Sequence, residues 1–166
     1  IEAYPVIYDF IDPKSDLAKN TLSWIEQIWG HRYQGGGYPR YNTTSEDNPP
    51  APWPLASLLV ARAYAETGDD DKVWRVLNWL DGIHGGKASS WFERYGQSLT
   101  PPHPPVNVIN WCWYEILSLL VLNIIGFRPQ ENHLLIQPHL LRGLDRIKGV
   151  LKVRNSTVIV LIHRSQ

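Results

Sequence analysis

The segment PWPLASLLVARAYAETGDDDKVWRVLNWL, residues 52–80, limits the possible folds more than any other part of the chain. Pro54 suits the first position of a helix, and Gly68 suits its end. Between them Leu55, Leu58, Leu59 and Ala63 leave almost no polar face. A helix apolar nearly all round must be buried by its neighbours. A second helix follows at once, over about Asp70–Leu80. The Asp69–Asp71 cluster favours its N-terminus, and Val73, Val76, Leu77 and Leu80 form its inner stripe. So short a link makes the two helices antiparallel.

Two further helices are expected around this hairpin. One runs over about Ser15–Trp29, capped by Ser15 or Asp16 and ended by Gly30, with Leu17, Thr21, Trp24, Ile25, Ile28 and Trp29 at helical spacing. The other runs over about Val108–Ile125 and ends at Gly126. Long segments rich in Gly, Pro, Asn and Ser separate them, at Gly35–Pro52 and Gly82–Pro105. Long loops in a compact domain are commonly functional. Very short and very long connections alternate, so the long loops open on one end of the helix array. After Pro129 the apolar period changes to two: HLLIQP, IKGVLKVR and TVIVLIH read as strands, the last buried, with a turn at Asn155-Ser156. The expected organisation is a mainly α region over 1–128 and a small β region over 129–166.

The 166 residues suffice for one domain with its own core. Sixteen basic and sixteen acidic residues cancel, which argues against nucleic acid as a partner, since phosphate binding needs a basic surface. No Lys/Arg run marks a membrane surface anchor, and the longest apolar run, Ile116–Ile125, is too short to span a bilayer. Cys112 is the single cysteine, so no internal disulfide is possible, and its apolar surroundings make it a packing thiol. Eight Trp and eight Tyr serve either as core filling or as stacking platforms for flat ligands such as sugar rings. The six His show no paired ligand spacing, and neither a phosphate-cradling loop nor Gly-x-Ser-x-Gly occurs, so no metal, no cofactor and no serine hydrolase are expected. Two glycosylation-type triplets, at Asn42 and Asn155, carry little weight. A chain that starts at Ile1 and contains no Met is expected to be a fragment or a processed chain.

GGGYPRY, the helical hairpin segment, WFERYGQ and NWCWYEI follow one another in an order that resembles the C-terminal half of the glucoamylase-type glycoside hydrolases, family 15. YDFIDPKSDLAKNTLSWIEQI is similar to the family's preceding segment. The resemblance covers about residues 1–125. It implies a partial (α/α)6 toroid of the six-hairpin glycosidase type, with the second and fourth helices in the inner ring and the active site in a funnel at one end. Four helices cannot close that ring, so the missing N-terminal portion, or self-association, is an expected partner. The tail, LLIQPHLLRGLDRIKGVLKVRNSTVIVLI, resembles the small β appendage of related six-hairpin sugar enzymes, including disaccharide phosphorylases and rhamnosidase-like hydrolases, and departs from the standard glucoamylase pattern.

By this resemblance the chain acts on an α-linked glucose-containing oligo- or polysaccharide. Glu93 is the general base of an inverting hydrolase, and the acid belongs to an earlier loop. From the residues alone, Glu93 equally reads as a surface partner of Arg94 or Arg40, which contributes little. Arg40, in the Arg40-Tyr41 loop, matches an arginine that hydrogen-bonds sugar hydroxyls, a task suited to a rigid planar donor set; its alternative is a loop salt bridge. Glu46 and Asp47 fall near a carboxylate that holds the glucose unit. Trp111 matches an apolar wall of the subsite, with core packing as its alternative. Trp53 is structural, Glu115 architectural, and Trp91 and Tyr95 support the Glu93 loop. Two other readings stay open: a relative of the disaccharide phosphorylases, in which phosphate attacks and no protein base is needed, and a catalytically incomplete sugar-binding or structural fragment.

Overall fold

The computed structural model describes residues 3–30, 35–40, 51–95 and 108–164. The protein is mixed and helix-rich, with two small antiparallel sheets. It divides into two compact units, Ile1–Glu115 and Ile116–Gln166, so the division falls inside the last helix.

The first unit is organised around one helix. After a short helix α1 (Tyr4–Ile7) and a second, α2 (Asp16–Glu26), comes α3 (Pro54–Thr67). Pro54 opens α3 at a position whose N–H would lack a helical partner anyway. Gly68 closes it at φ 81°, in the left-handed region that glycine tolerates. Eleven of its fourteen residues are buried, as an apolar circumference requires. Helices α1 and α2 pack on α3, and so does α4 (Asp70–Gly82), which follows after the Gly68-Asp69 link. Asp69 caps α4 by accepting from the Lys72 N–H at 3.4 Å, and Val73, Val76, Trp79 and Leu80 are its buried residues.

Ser15 caps α2, its hydroxyl accepting from the Ala18 N–H at 3.2 Å. The helix ends at Glu26, one turn before the expected Trp29. Of the expected stripe Ile25 is buried, together with Ala18 and Leu22, but Leu17 is 60% and Trp24 68% exposed. The buried and the exposed residues lie on neighbouring faces, and the small Ala18 suits the face turned towards α3.

The fourth expected helix is α5 (Trp111–Ser118), continued by a π-helical segment, Leu119–Ile124. It is not buried all round: Cys112 and Glu115 face inward, whereas Trp111, Trp113, Tyr114 and Leu117 are exposed.

In the second unit, β1 (Phe127–Pro129) pairs antiparallel with β2 (Leu134–Ile136), and β3 (Arg146–Val153) with β4 (Ser156–His163). The turn between β3 and β4 is Arg154-Asn155, one residue earlier than expected, with Arg154 at φ 55°. Strand β4 is not a buried strand. A two-stranded ribbon has two faces; Val158, Val160 and Ile162 occupy the better covered one, while Ile159 and Leu161 are exposed on the other. Gly149 of β3 is buried where a Cβ would come within 2.9 Å of Ile125, so the ribbon approaches the end of the π-helical segment at a residue without a side chain.

Candidate functional site

Four backbone segments meet at the N-terminal ends of α3 and α5. The extended lead-in to α3, Ala51–Trp53, is the common element: Pro39 and Pro52 form an isolated antiparallel bridge, and the Trp53 N–H donates to the Tyr38 carbonyl at 2.9 Å. The Pro52 carbonyl also accepts from the Tyr95 N–H at 3.1 Å. Further along, Phe92 bridges to Val108, and the Ile109 N–H donates to the Trp91 carbonyl at 3.2 Å. Arg40, Glu93 and Trp111, far apart in sequence, each stand within three residues of one of these junctions.

The WFERY loop is held by its two flanking aromatics. Trp91 is buried, and its indole N–H donates to the Leu80 carbonyl at 2.9 Å. Tyr95 is fully buried; its hydroxyl donates to the His84 carbonyl at 2.6 Å and accepts from the Phe92 N–H at 3.1 Å. Burial pushes the Tyr95 phenol up to about 12, so it stays protonated and able to donate. Gly85, at φ 87°, makes the tight turn before the loop; its carbonyl accepts from the Ser90 N–H at 3.0 Å, and the Ser90 carbonyl leaves no room for a Cβ. Glu93 therefore sits half-buried on a short turn whose two ends are fixed inward. None of the ion pairs found among the described residues includes it.

Arg40 is exposed, with its guanidinium 5.2 Å from the centre of the Trp53 ring, a cation–π contact. Trp53 is itself buried against the core, in keeping with a structural role. Trp111 is 47% exposed at the first position of α5 and so is not packed in the core. Tyr41 and Asp47, together with Glu46, lie outside the described residues. Among the described residues no group of three or more His, Cys, Asp or Glu is arranged to hold a metal ion. No helix among them is long and apolar enough to cross a membrane.

Two polar groupings support this region from below. Glu115 of α5 meets Arg62 of α3 at 2.8 Å, with side chains 6% and 3% exposed, and Arg62 also lies 5.7 Å from the Tyr8 ring. Glu115 is thus architectural: it ties the two helices whose N-termini carry the site. Beside it, burial together with the Glu115 charge pushes the Cys112 thiol up to about 12. The second grouping centres on Glu26. Its Oε2 accepts from the Tyr38 hydroxyl at 2.8 Å, the Tyr64 hydroxyl at 2.7 Å and Arg75 Nη2 at 2.8 Å, and its Oε1 accepts from Arg75 Nη1 at 2.6 Å. Burial alone would raise this carboxyl, but the hydrogen bonds from Arg75, Tyr64 and Tyr38 and the Arg75 charge hold it below its ordinary value. Burial raises the phenols of Tyr38 and Tyr64, so both remain donors.

Arg62, Glu26, Arg75 and Tyr38 were not singled out by sequence reasoning. A signal existed for one of them: Arg62 is the only charged residue within the apolar run of α3 and needed an interior counter-ion. No protein-family model matches the chain, and neither a curated protein nor a solved structure matches it.

Proposed function

We propose that the chain is the C-terminal part of an inverting glycoside hydrolase of the glucoamylase type, acting on an α-linked glucose-containing oligo- or polysaccharide. The observation that carries this reading is the junction at Pro52. It draws the segment of Arg40 and the segment of Glu93 to one lead-in, with the start of α5 tied to the Glu93 loop. In this reading α2 to α5 supply part of an (α/α)6 toroid. Exposed Leu17, Trp24, Trp113, Tyr114 and Leu117 are consistent with a ring completed by further helices or by a second copy.

Glu93 is then the general base. Inversion requires a carboxylate on one face of the sugar to deprotonate water while an acid on the other protonates the leaving oxygen; the two stand about 6.5–9.5 Å apart. A carboxylate on a stiff turn, half-exposed and outside any ion pair among the described residues, meets the first requirement. Arg40 binds sugar hydroxyls, its plane braced by Trp53. Trp111 offers an apolar ring face, and Tyr41 and Asp47 follow Arg40 in the sequence. The acid comes from the complete enzyme. Replacing Glu93→Gln in the complete protein is expected to lower hydrolysis by about 10²–10⁴-fold while sugar binding persists. Retained full turnover defeats the assignment.

A relative of the disaccharide phosphorylases is the second reading, favoured by the two antiparallel ribbons that follow α5. Turnover that depends on inorganic phosphate and survives Glu93→Gln selects it.

A further inference from the structure

Tyr38 is among the most completely constrained residues of the first unit, and it stands two positions before Arg40. It is fully buried. Its hydroxyl donates to Glu26 on α2 and accepts from Arg75 Nη2 on α4 at 2.7 Å. Its ring stands edge-on to Trp29, with centres 4.8 Å apart. Its N–H donates to the Ser57 hydroxyl at 2.9 Å, and its carbonyl accepts from Trp53. Immediately before it, Gly37 is in the left-handed region at φ 86°, where a Cβ would stand 2.4 Å from Trp79. Immediately after it, Pro39 restricts φ and bridges to Pro52. The chain therefore reaches Arg40 along a path with little freedom left.

We propose that Glu26 and Arg75 are positioning residues for Arg40, acting through the phenol of Tyr38. This rests on the reading of Arg40 as a sugar-binding group. Neither Glu26 nor Arg75 touches the sugar. They anchor Tyr38, and so set where the guanidinium stands over Trp53. The clamp also couples the site to α2 and α4, because Glu26 and Arg75 belong to these helices while Arg40 is on the loop. Losing the hydroxyl of Tyr38 removes the link but leaves the Glu26–Arg75 pair and the Tyr64 bond to Glu26 in place.

The test has two arms on the full chain. In the first, arginine is ¹⁵N-labelled and the Arg40 Nε–H resonance, assigned by its loss in Arg40→Lys, is followed without any sugar. Its proximity to the Trp53 ring displaces it from the free-arginine position, and Tyr38→Phe is expected to move it most of the way back. In the second arm, maltotriose is titrated calorimetrically. Arg40→Ala is expected to weaken affinity about 10- to 100-fold and Tyr38→Phe about three- to tenfold. In the Arg40→Ala background, Tyr38→Phe should weaken it less than about twofold further, because both changes act through one group. An unmoved Arg40 resonance in Tyr38→Phe overturns the positioning role whatever the sugar does. Fully additive losses overturn it too, since Tyr38 then acts without Arg40. A moved resonance with maltotriose affinity unchanged in Arg40→Ala overturns instead the sugar-binding reading, and the positioning role for substrate with it. Should Tyr38→Phe fail to fold, Arg75→Lys, which removes the guanidinium fork that donates to Glu26 and to the Tyr38 hydroxyl, is held to the same outcomes.

Discussion

Replacing Glu115 tests whether α3 and α5 are joined as described. Glu115→Gln keeps the side-chain shape and an acceptor oxygen, but removes the charge opposite Arg62. Both side chains are almost completely buried and 2.8 Å apart, so the guanidinium loses this carboxylate in the interior. Removing one partner of such a pair costs about 3–5 kcal/mol. The Tyr8 ring, 5.7 Å from the Arg62 guanidinium and half-exposed, offsets at most a fraction, about 0.5–1 kcal/mol for a cation–π contact of that exposure. The net loss of about 3 kcal/mol corresponds to a melting point lower by roughly 6–12 °C in a chain of this size. In urea, with a slope of about 2 kcal/mol/M, the midpoint falls by roughly 1.5 M. All eight tryptophans lie in residues 24–113, so tryptophan fluorescence reports the unit that contains the pair. Arg62→Met with Glu115→Leu should be far less damaging than the sum of the single changes, since it leaves no buried charge. A Glu115→Gln midpoint within about 0.3 M of wild type, or additive single effects, refutes the joint between α3 and α5.

The Glu26 clamp gives stability a sign with pH. The Glu26 carboxyl is held below its ordinary value of 4.5, so the unfolded chain binds more protons between the two values, and stability rises with pH through that window. The contribution is complete above about pH 5 and is lost as pH falls through the lowered value. Melting temperatures of wild type and Glu26→Gln should therefore converge on acidification, and a constant gap from pH 3 to 7 would contradict the hydrogen bonds described. Cys112, buried and with its thiol pushed up to about 12, should react with a thiol-specific disulfide reagent at pH 8 only as fast as the unit opens. Immediate stoichiometric labelling of the folded chain would place it elsewhere.

The hairpin of α3 and α4 was legible because local and tertiary signals agree there: Pro54, Gly68 and Asp69 mark the ends, and an apolar circumference admits only burial. Helix α2 was legible in extent at its start but not in rotation. The expected stripe runs across two neighbouring faces: it holds Ile25, which is buried, beside Leu17 and Trp24, which are exposed, because Leu17, Thr21 and Trp24 have the same spacing as Ala18, Leu22 and Ile25 and periodicity cannot choose between them. The choice is made by Ala18 beneath α3 and by Glu26 reaching Tyr64 and Arg75, both more than thirty residues away. Strand β4 misled in another way: an apolar run announces burial on two faces, but its ribbon has only one neighbour in the sheet. In the candidate site, Glu93, Arg40 and Trp111 are expected from motif order. The junctions that bring their segments together, at Pro52 and between Phe92 and Val108, are made of backbone bonds, which no side-chain pattern encodes.

The aromatic excess gains a physical explanation from these same contacts. The sequence holds eight Trp and eight Tyr but only three Phe, an imbalance that core filling alone does not require. A long loop that enters the interior brings carbonyls and N–H groups with it, and each must find a partner there. Phe can fill the space but cannot answer those groups. Trp91 answers the Leu80 carbonyl, Tyr95 answers His84 and Phe92, and Tyr38 and Tyr64 answer Glu26. In each case the ring packs and the polar tip closes a hydrogen bond, so one residue does the work of a packing group and a bridging water. The aromatic residues that frame Glu93 and Arg40 are therefore anchors first; under the proposed function the rings left to meet a sugar are the exposed ones, above all Trp111. The proposed hydrolase, with its charged groups on loops, would need such anchors, because a carboxylate or guanidinium misplaced by about 1 Å loses most of its catalytic or binding value.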